Sequence, residues 1–425
     1  MKSSNERPTG MTAFIIIWIG QILSLLGTAV SQFGMRLWVF DASGGQATPM
    51  TRIAFWFFVP MVVFTPLVGV LVDRANRKLM MMLSDLAAAA TTAGMLVLYT
   101  TGALQIWHLY VAAFVTGTFQ GFQWPAYSAA ISTMLNKKHF TRANAMLDIA
   151  GLSSAIFAPM IAGALIGPLN GWMRQNMPQI AARTPGQPGL TALLVLDLIS
   201  AGFAVGTLLF VRIPQPSQSE SGRQASGGFW HQAMFGLRYI LTRPSLIGLQ
   251  LVFLLGNLFF SLGNMVRDPM ILARTESDSL AFGAIQTAGA VGGLVGSLLI
   301  GAWGGFKRRV HGVLLGWALS GISLVALGLS QTLTPWIVVA AIGAIFPPLI
   351  NASNQAIWQV KVPPDVQGRV FATRRLIAWV VTPVAQLVAG PLADRVLEPA
   401  FSGSSPVAGW PTVLFGSGPG AGMGF

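Results

Sequence analysis

Long apolar runs constrain this chain more than any other feature. Eleven segments of twenty or more residues are dominated by apolar side chains: 13–40, 50–72, 79–100, 107–134, 144–168, 190–212, 245–266, 280–303, 311–330, 334–358 and 370–391. A helix needs about 20 such residues to cross a bilayer core, so each run reads as a membrane-spanning helix. Composition agrees, because only 9% of the 425 residues are charged. A soluble domain carries about 25%. The 48 glycines and 25 prolines suit closely packed membrane helices.

The basic residues set an orientation. With the first residues inside and the spans alternating, nineteen of the 26 Lys and Arg fall on inside segments, Lys137, Lys138, Arg308, Arg309, Arg374 and Arg375 among them. Cytoplasmic connections carry such an excess, so the N-terminus is expected in the cytoplasm. The same clustering argues against a nucleic-acid partner. The opening MKSSNERPTG is polar and no small-residue cleavage site follows the first apolar run, so that run is expected to be a retained span. There is no cysteine, and the four histidines never pair at ligand spacing, so no thiolate or histidine metal site is expected.

The longest inside segment covers 213–244. It opens on PQPSQSESGRQASGG, a flexible linker by composition, and continues as FWHQAMFGLRYILTRP, an amphipathic surface helix. It separates an N-terminal six-helix half, 1–212, from a C-terminal half, 245–425. The halves echo one another. Ala130-Ile131 leads to Arg142 as Ala356-Ile357 leads to Arg369, and the basic turns Arg77-Lys78 and Arg308-Arg309 lie 231 residues apart. Weak internal repeats of this kind mark transporter folds. Two six-helix halves need a twelfth span, and no run of that length follows residue 391. The expectation is a truncated last helix, with a native eleven-span chain as the alternative.

The turn after the second run reads Gly69-Val70-Leu71-Val72-Asp73-Arg74-Ala75-Asn76-Arg77-Lys78. It resembles the signature loop of the major facilitator superfamily, G-x-L-x-D-R-x-x-R-K, where that family places it. The resemblance implies an all-α membrane protein of major facilitator fold. Gly69 would let helices approach closely. Asp73 would face a helix N-terminus of the other half, near Gly368 and Arg369, and complement its dipole. Arg74, Arg77 and Lys78 would pair with Asp73 or hold lipid phosphates. Such a latch would favour the outward-facing state.

Gly151 through Gly163 is similar to the antiporter motif of the same family, with Pro159 kept and alanines at 158 and 162 in place of two glycines. That resemblance implies export. The similarity extends over most of the chain, from WIGQILSLLGTAV to GRVFATRR, and is nearest to the branch of bacterial siderophore (enterobactin-type) and macrolide exporters. One departure stands out. The family's span-four motif, R-x-x-Q-G, would put arginine at 117, and this chain has Gly117 before Gln120-Gly121. Arg36, late in span one, is the candidate substitute.

Polar side chains inside spans are costly unless they face partners or water. Gln21, Gln120, Gln123, Trp124, Asn257, Gln286, Asn351, Asn354 and Gln355 are the substrate-cavity candidates. Most lie on spans one, four, seven and ten, which line the cavity in the family. Each amide taken alone reads better as a helix–helix hydrogen bond. The coupling candidates are Arg36, Asp85, Asp148 and Asp197, because desolvation makes a buried carboxyl group a natural proton carrier. Arg36 and Asp197 sit at similar depth and are expected to pair, and Asp85 is placed in an inner charge network with Asp73.

The expected function is secondary active transport, first as proton-driven efflux of an amphipathic drug or siderophore. An uptake symporter of the same fold is the alternative, and a membrane receptor or enzyme the rival from another class. The chain has no HExxH, no GxSxG and no G-x-x-x-x-G-K-[ST] loop, so no catalytic residue and no cofactor is expected. The expected partners are a small-molecule substrate, protons and the bilayer of a bacterial inner membrane, with a monomer as the working unit.

Overall fold

The computed structural model describes residues 8, 10–74, 76–135, 140–178, 187–213, 237–362, 367–401, 414–416 and 418–425. All regular structure among them is helical. Among the described residues, ten helices are long and apolar enough to cross a membrane. Their outward faces are themselves apolar: Phe210, Phe259, Ile199 and Leu298 are each at least 65% exposed. A water-facing protein does not display such a surface, whereas lipid solvates it.

The chain forms two compact units. The first comprises Met1–Ala42 and Trp56–Ser217, and the second Ser43–Phe55 and Gln218–Phe425. Unit one contains α1 (Gly10–Ala42), the larger part of α2 (Ala47–Arg74), α3 (Arg77–Thr100), α4 (Ile106–Met134), α5 (Phe140–Asn176) and α6 (Pro188–Phe210). Helix α2 therefore belongs to both units, its first residues clustering with unit two. Of the 213–244 segment, residues 214–236 lie outside the described residues, and a short helical stretch occupies 237–241.

In unit one α1 lies along α6. Its glycines 20, 27 and 34 recur every seven residues on one stripe. A Cβ on Gly34 would come within 2.8 Å of Leu190 and Leu193, and one on Gly27 within 3.1 Å of the Asp197 backbone. Lipid tails are as apolar as leucine, so membrane helices associate through close van der Waals packing, and small residues permit it. Below this seam Phe14, Ile17, Met81, Leu208 and Val211 form a buried cluster. The Trp18 indole N–H donates to the Met146 carbonyl at 2.7 Å and joins α1 to α5.

Unit two contains α7 (Pro244–Arg274), α8 (Ser279–Trp303), α9 (Arg309–Leu329), α10 (Leu333–Gly343), α11 (Phe346–Lys361), α12 (Gln367–Trp379) and α13 (Val381–Leu392). A π-helical turn, Ala393–Leu397, and two single-turn helices, α14 (Glu398–Phe401) and α15 (Ala421–Gly424), follow. Asp278 caps α8 by accepting from the Leu280 N–H at 2.8 Å, a standard solution for the orphan donors of a first turn. The tenth expected span is broken between α10 and α11. Pro347 and Pro348 follow the break directly, and without an N–H they cannot bond back to the preceding turn. Span seven is longer than its apolar run, since α7 continues past residue 266 to Arg274. At its end the Arg274 guanidinium donates to the carbonyls of Gly328, Ser330 and Phe415 at 2.7–2.9 Å.

Candidate functional site

Among the described residues, two carboxylates are buried in unit one. Asp85, on α3, is 2% exposed. Its Oδ2 accepts from Gln21 Nε2 of α1 at 2.8 Å and its Oδ1 from Gln123 Nε2 of α4 at 2.8 Å. Gln123 also donates to Gln21 Oε1 at 3.1 Å. Two of the expected cavity amides thus clasp an expected coupling acid, and three helices meet at one carboxylate. Asp197, on α6, accepts from the hydroxyls of Thr28 (3.0 Å), Ser31 (2.7 Å) and Thr92 (2.8 Å).

The expected pairing of Arg36 with Asp197 is therefore corrected: α1 offers Asp197 its short hydroxyls Thr28 and Ser31, and the Arg36 guanidinium lies over the Phe33 ring, 5.8 Å from its centroid. Arginine's long side chain can leave its own backbone depth, so similar depth along two helices does not make a contact.

The signature loop is described in part. The side chains of Gly69, Asp73, Arg74, Trp124, Asp148, Gly368 and Arg369 lie outside the described residues. Arg77 is buried in the first turn of α3, behind Asn76, whose Oδ1 accepts from the Leu79 N–H at 3.3 Å. Lys78 Nζ donates to the carbonyls of Leu209 (3.2 Å) and Val211 (2.8 Å). Those carbonyls end α6, where a cation is favoured by the helix dipole. Gln120 faces outward and is exposed, Pro159 and Gly163 are buried, and Gly151 is exposed with open space around it. Gly117 has a tight environment: a Cβ there would run into the carbonyl of Phe57 and sit 3.0 Å from the Phe57 Cα.

A carboxylate that sequence reasoning passed over caps α2. Asp394, in the π turn, accepts from the N–H groups of Ala47 at 2.8 Å and Thr48 at 2.7 Å. Gly390, one turn before it, makes the approach possible, since a Cβ would strike Thr48 and Thr51. The stretch Gly390-Pro391-Leu392-Ala393-Asp394-Arg395 repeats the G-x-L-x-D-R order of residues 69–74, a signal that was available in the sequence. A cap of this kind is worth about 1 kcal/mol, so Asp394→Ala is expected to speed amide exchange at Ala47 and Thr48 about fivefold. Unchanged exchange at these two residues would show that Asp394 does not hold them.

Unit two lines a partly open cavity of about 690 Å³. Asn257, Asn351, Asn354 and Gln355 line it beside Phe253, Phe260, Trp317 and Arg374. The Asn257 side chain is partly committed, because its amide donates to the Ala378 carbonyl at 3.2 Å, and Gln250 does the same to the Arg374 carbonyl at 3.2 Å. Both amides tie α7 to α12. Gln286 lies on a second cavity of about 320 Å³ with Arg267. There Arg267 pairs with Asp268 at 3.2 Å and donates to Gln286 Oε1 at 2.6 Å. Pro347 lines both cavities, so the broken helix borders open space, where interrupted membrane helices are tolerated.

The model of the Major Facilitator Superfamily matches residues 17–385. The chain belongs to the Major Facilitator Superfamily. It is a multi-pass membrane transporter of that superfamily and not an enzyme. Among relatives in the superfamily, it is 24% identical over 385 residues to Macrolide efflux protein A of Streptococcus pyogenes, covering 90% of each chain. It is 25% identical over 371 residues to the Multidrug efflux pump Tap of Mycolicibacterium fortuitum, covering 84% of this chain and 83% of Tap. A solved bacterial homologue of the human lysosomal transporter Spinster superposes with a TM-score of 0.68 at 14% identity, over 97% of this chain and 91% of that one. The last likeness shows the fold of the superfamily.

Proposed function

We propose that the chain exports amphipathic small molecules, exchanging them for protons by alternating access in the bacterial plasma membrane. The observation that carries this reading is the 690 Å³ cavity of unit two, walled by aromatic rings and amides. Small-molecule sites occupy about 300–1,000 Å³ and combine an apolar lining with a few polar groups. The macrolide and multidrug relatives are named for efflux, which supports export over uptake. Residues 1–212 and 245–425 act as the two halves, with 213–244 as the cytoplasmic linker and the N-terminus inside.

Asp85 is the acid best placed to carry the proton. Both of its oxygens accept from amide N–H groups, and an NH₂ group can only donate. A proton arriving on either oxygen removes the charge that strengthens both amide hydrogen bonds, which loosens the junction of α1, α3 and α4. Asp197 meets hydroxyls, which can rotate to accept a proton with no helix moving. Helix α2 is the natural moving part, with Asp73 near one end as the inner latch and Asp394 holding the other end.

The test is accumulation of a fluorescent drug panel in bacteria lacking their own pumps, with and without a protonophore. Export should lower accumulation, the protonophore should restore it, and Asp73→Asn should abolish the difference. No change for any drug, with the protein verified in the membrane, would remove the drug-efflux reading. Raised accumulation would establish uptake instead.

A further inference from the structure

Three amides in the lining of the larger cavity of unit two are engaged by the protein itself. Asn257 donates to the Ala378 carbonyl at 3.2 Å, Gln250 donates to the Arg374 carbonyl at 3.2 Å, and Gln355 Oε1 accepts from Arg374 at 3.0 Å. Asn354 differs. It is 8% exposed, and its Oδ1 is buried with no hydrogen-bond partner among the described residues. The Trp317 Nε1, in the same lining, is also buried without a partner among them. Native proteins rarely bury polar atoms in this way, and each such atom calls for an explanation. Here one is an acceptor, the other a donor, and their residues border one space of small-molecule size.

Packing holds both residues in place. Phe253 and Phe260 of α7 meet the Trp317 ring edge-on, with centroids 5.8 and 5.9 Å away. Gly256 lies between them in the chain, and a Cβ there would come within 2.7 Å of the same ring. The indole is therefore fixed, and the direction of its N–H with it. Asn354 sits on α11 beside Ser353, which together with Ile350 presses on glycines 312 and 316 of α9, the helix that carries Trp317. A Cβ on either glycine would strike these side chains, so α11 cannot slide along α9 to find other partners for the two atoms.

A group that satisfies both atoms must accept and donate. A carboxylate only accepts and an ammonium only donates, whereas a hydroxyl does both. We infer that the cavity recognises hydroxyl groups of an uncharged amphipathic substrate: the Trp317 N–H donates to a substrate oxygen, and Asn354 Oδ1 accepts from a substrate hydroxyl. The apolar part of the substrate lies against Phe260 and Phe371, which share the lining. The assignment rests on the exporter reading and adds to it the polar group by which a substrate is chosen. A site built to hydrogen-bond a substrate hydroxyl rejects an analogue that lacks it, because the buried protein atom is then left unpaired.

Three probes separate the two contacts: 11-(dansylamino)undecan-1-ol, its methyl ether, and the dansylamide of an all-carbon chain as long as the ether. The alcohol donates and accepts, the ether only accepts, and the hydrocarbon end does neither. Each is titrated by fluorescence into the purified full chain in phosphatidylcholine nanodiscs, with empty discs as the blank. The alcohol is expected to bind about tenfold more tightly than the ether, and the ether about tenfold more tightly than the hydrocarbon. Asn354→Leu should bring alcohol and ether together and leave the preference for ether over hydrocarbon. Trp317→Phe should do the reverse, removing the ether preference and leaving that for alcohol over ether. Loss of general packing in either variant would instead weaken all three probes alike.

Equal binding of the three probes by the unaltered protein would give both atoms to water and overturn the inference. An alcohol preference that survives Asn354→Leu overturns it too, as does an equal loss for all probes in both variants. Phosphatidylglycerol carries hydroxyls on its headgroup, so displacement of the alcohol in discs of that lipid would assign the site to lipid and overturn the substrate assignment. Binding is read on purified protein, so the two readings fail separately. Drug export by a protein that binds alcohol and ether equally removes this inference alone. Alcohol preference in a protein that exports nothing removes the exporter reading alone.

Discussion

Asp85→Asn is expected to abolish protonophore-sensitive export while leaving the protein at its normal level in the membrane. Asparagine keeps the size of the side chain and one carbonyl acceptor, so Gln21 or Gln123 retains a partner. It cannot take up a proton. Asp85→Ala is expected to lose export and lower the melting temperature as well. It leaves two amide donors, now 2.8 Å from the carboxylate oxygens, without an acceptor. Each orphaned donor costs about 1–3 kcal/mol. The lower end applies here, because polar groups in membrane proteins often find alternative partners. A purified Asp85→Asn protein that still exports under a proton gradient would exclude Asp85 as the carrier and leave Asp197 as the other buried acid among the described residues of unit one to examine.

The second large effect is steric. Restoring the arginine that the family motif calls for, by Gly117→Arg, is expected to deplete the protein from the membrane fraction and to recover no function. Even Gly117→Ala should lower the melting temperature measurably. A Cβ at this position meets the Phe57 carbonyl and lies 3.0 Å from its Cα. Backbone cannot turn aside as a side chain can, so α4 and α2 must separate. Overpacking by single methylenes already costs about 1–3 kcal/mol. The control is Gly94→Ala on α3, where nothing lies within 4 Å of an added Cβ. That change should be neutral or slightly stabilising, since alanine exceeds glycine in helix propensity by about 1 kcal/mol. Normal abundance and melting of Gly117→Ala would refute the close contact. The missing arginine of span four is thus explained by geometry: two backbones meet where the guanidinium stem would start.

The legible part of the site was its inventory. Gln21, Gln123, Asp85 and Asp197 stood out because polar side chains in apolar runs are rare and costly. Their assembly was not legible. Gln21 and Asp85 are 64 residues apart, and Gln21 and Gln123 are 102 apart. Nothing local specifies which amide meets which acid. The Arg36–Asp197 pairing failed for the same reason, since equal depth fixes a coordinate along the membrane normal but not the face of the helix. Arg374 was counted among the cytoplasmic anchors, because charge clusters at the end of an apolar run ordinarily mark a loop. The structure also lines a cavity with it. Asp268 was passed over because α7 continues beyond its apolar run to Arg274.

The sequence by itself determined the solvent, the fold class and the family, because each rests on local pattern. A run of apolar residues can only be lipid-facing or core, and the turn at residues 69–78 carries its identities within one loop. Which helices touch, and therefore what each polar residue does, was decided by tertiary structure. That choice depends on small residues such as Gly27, Gly34, Gly117 and Gly390, which set how closely backbones approach, and on hydrogen bonds between segments far apart in the chain. Close packing lets only one pairing of helix faces satisfy all of these at once.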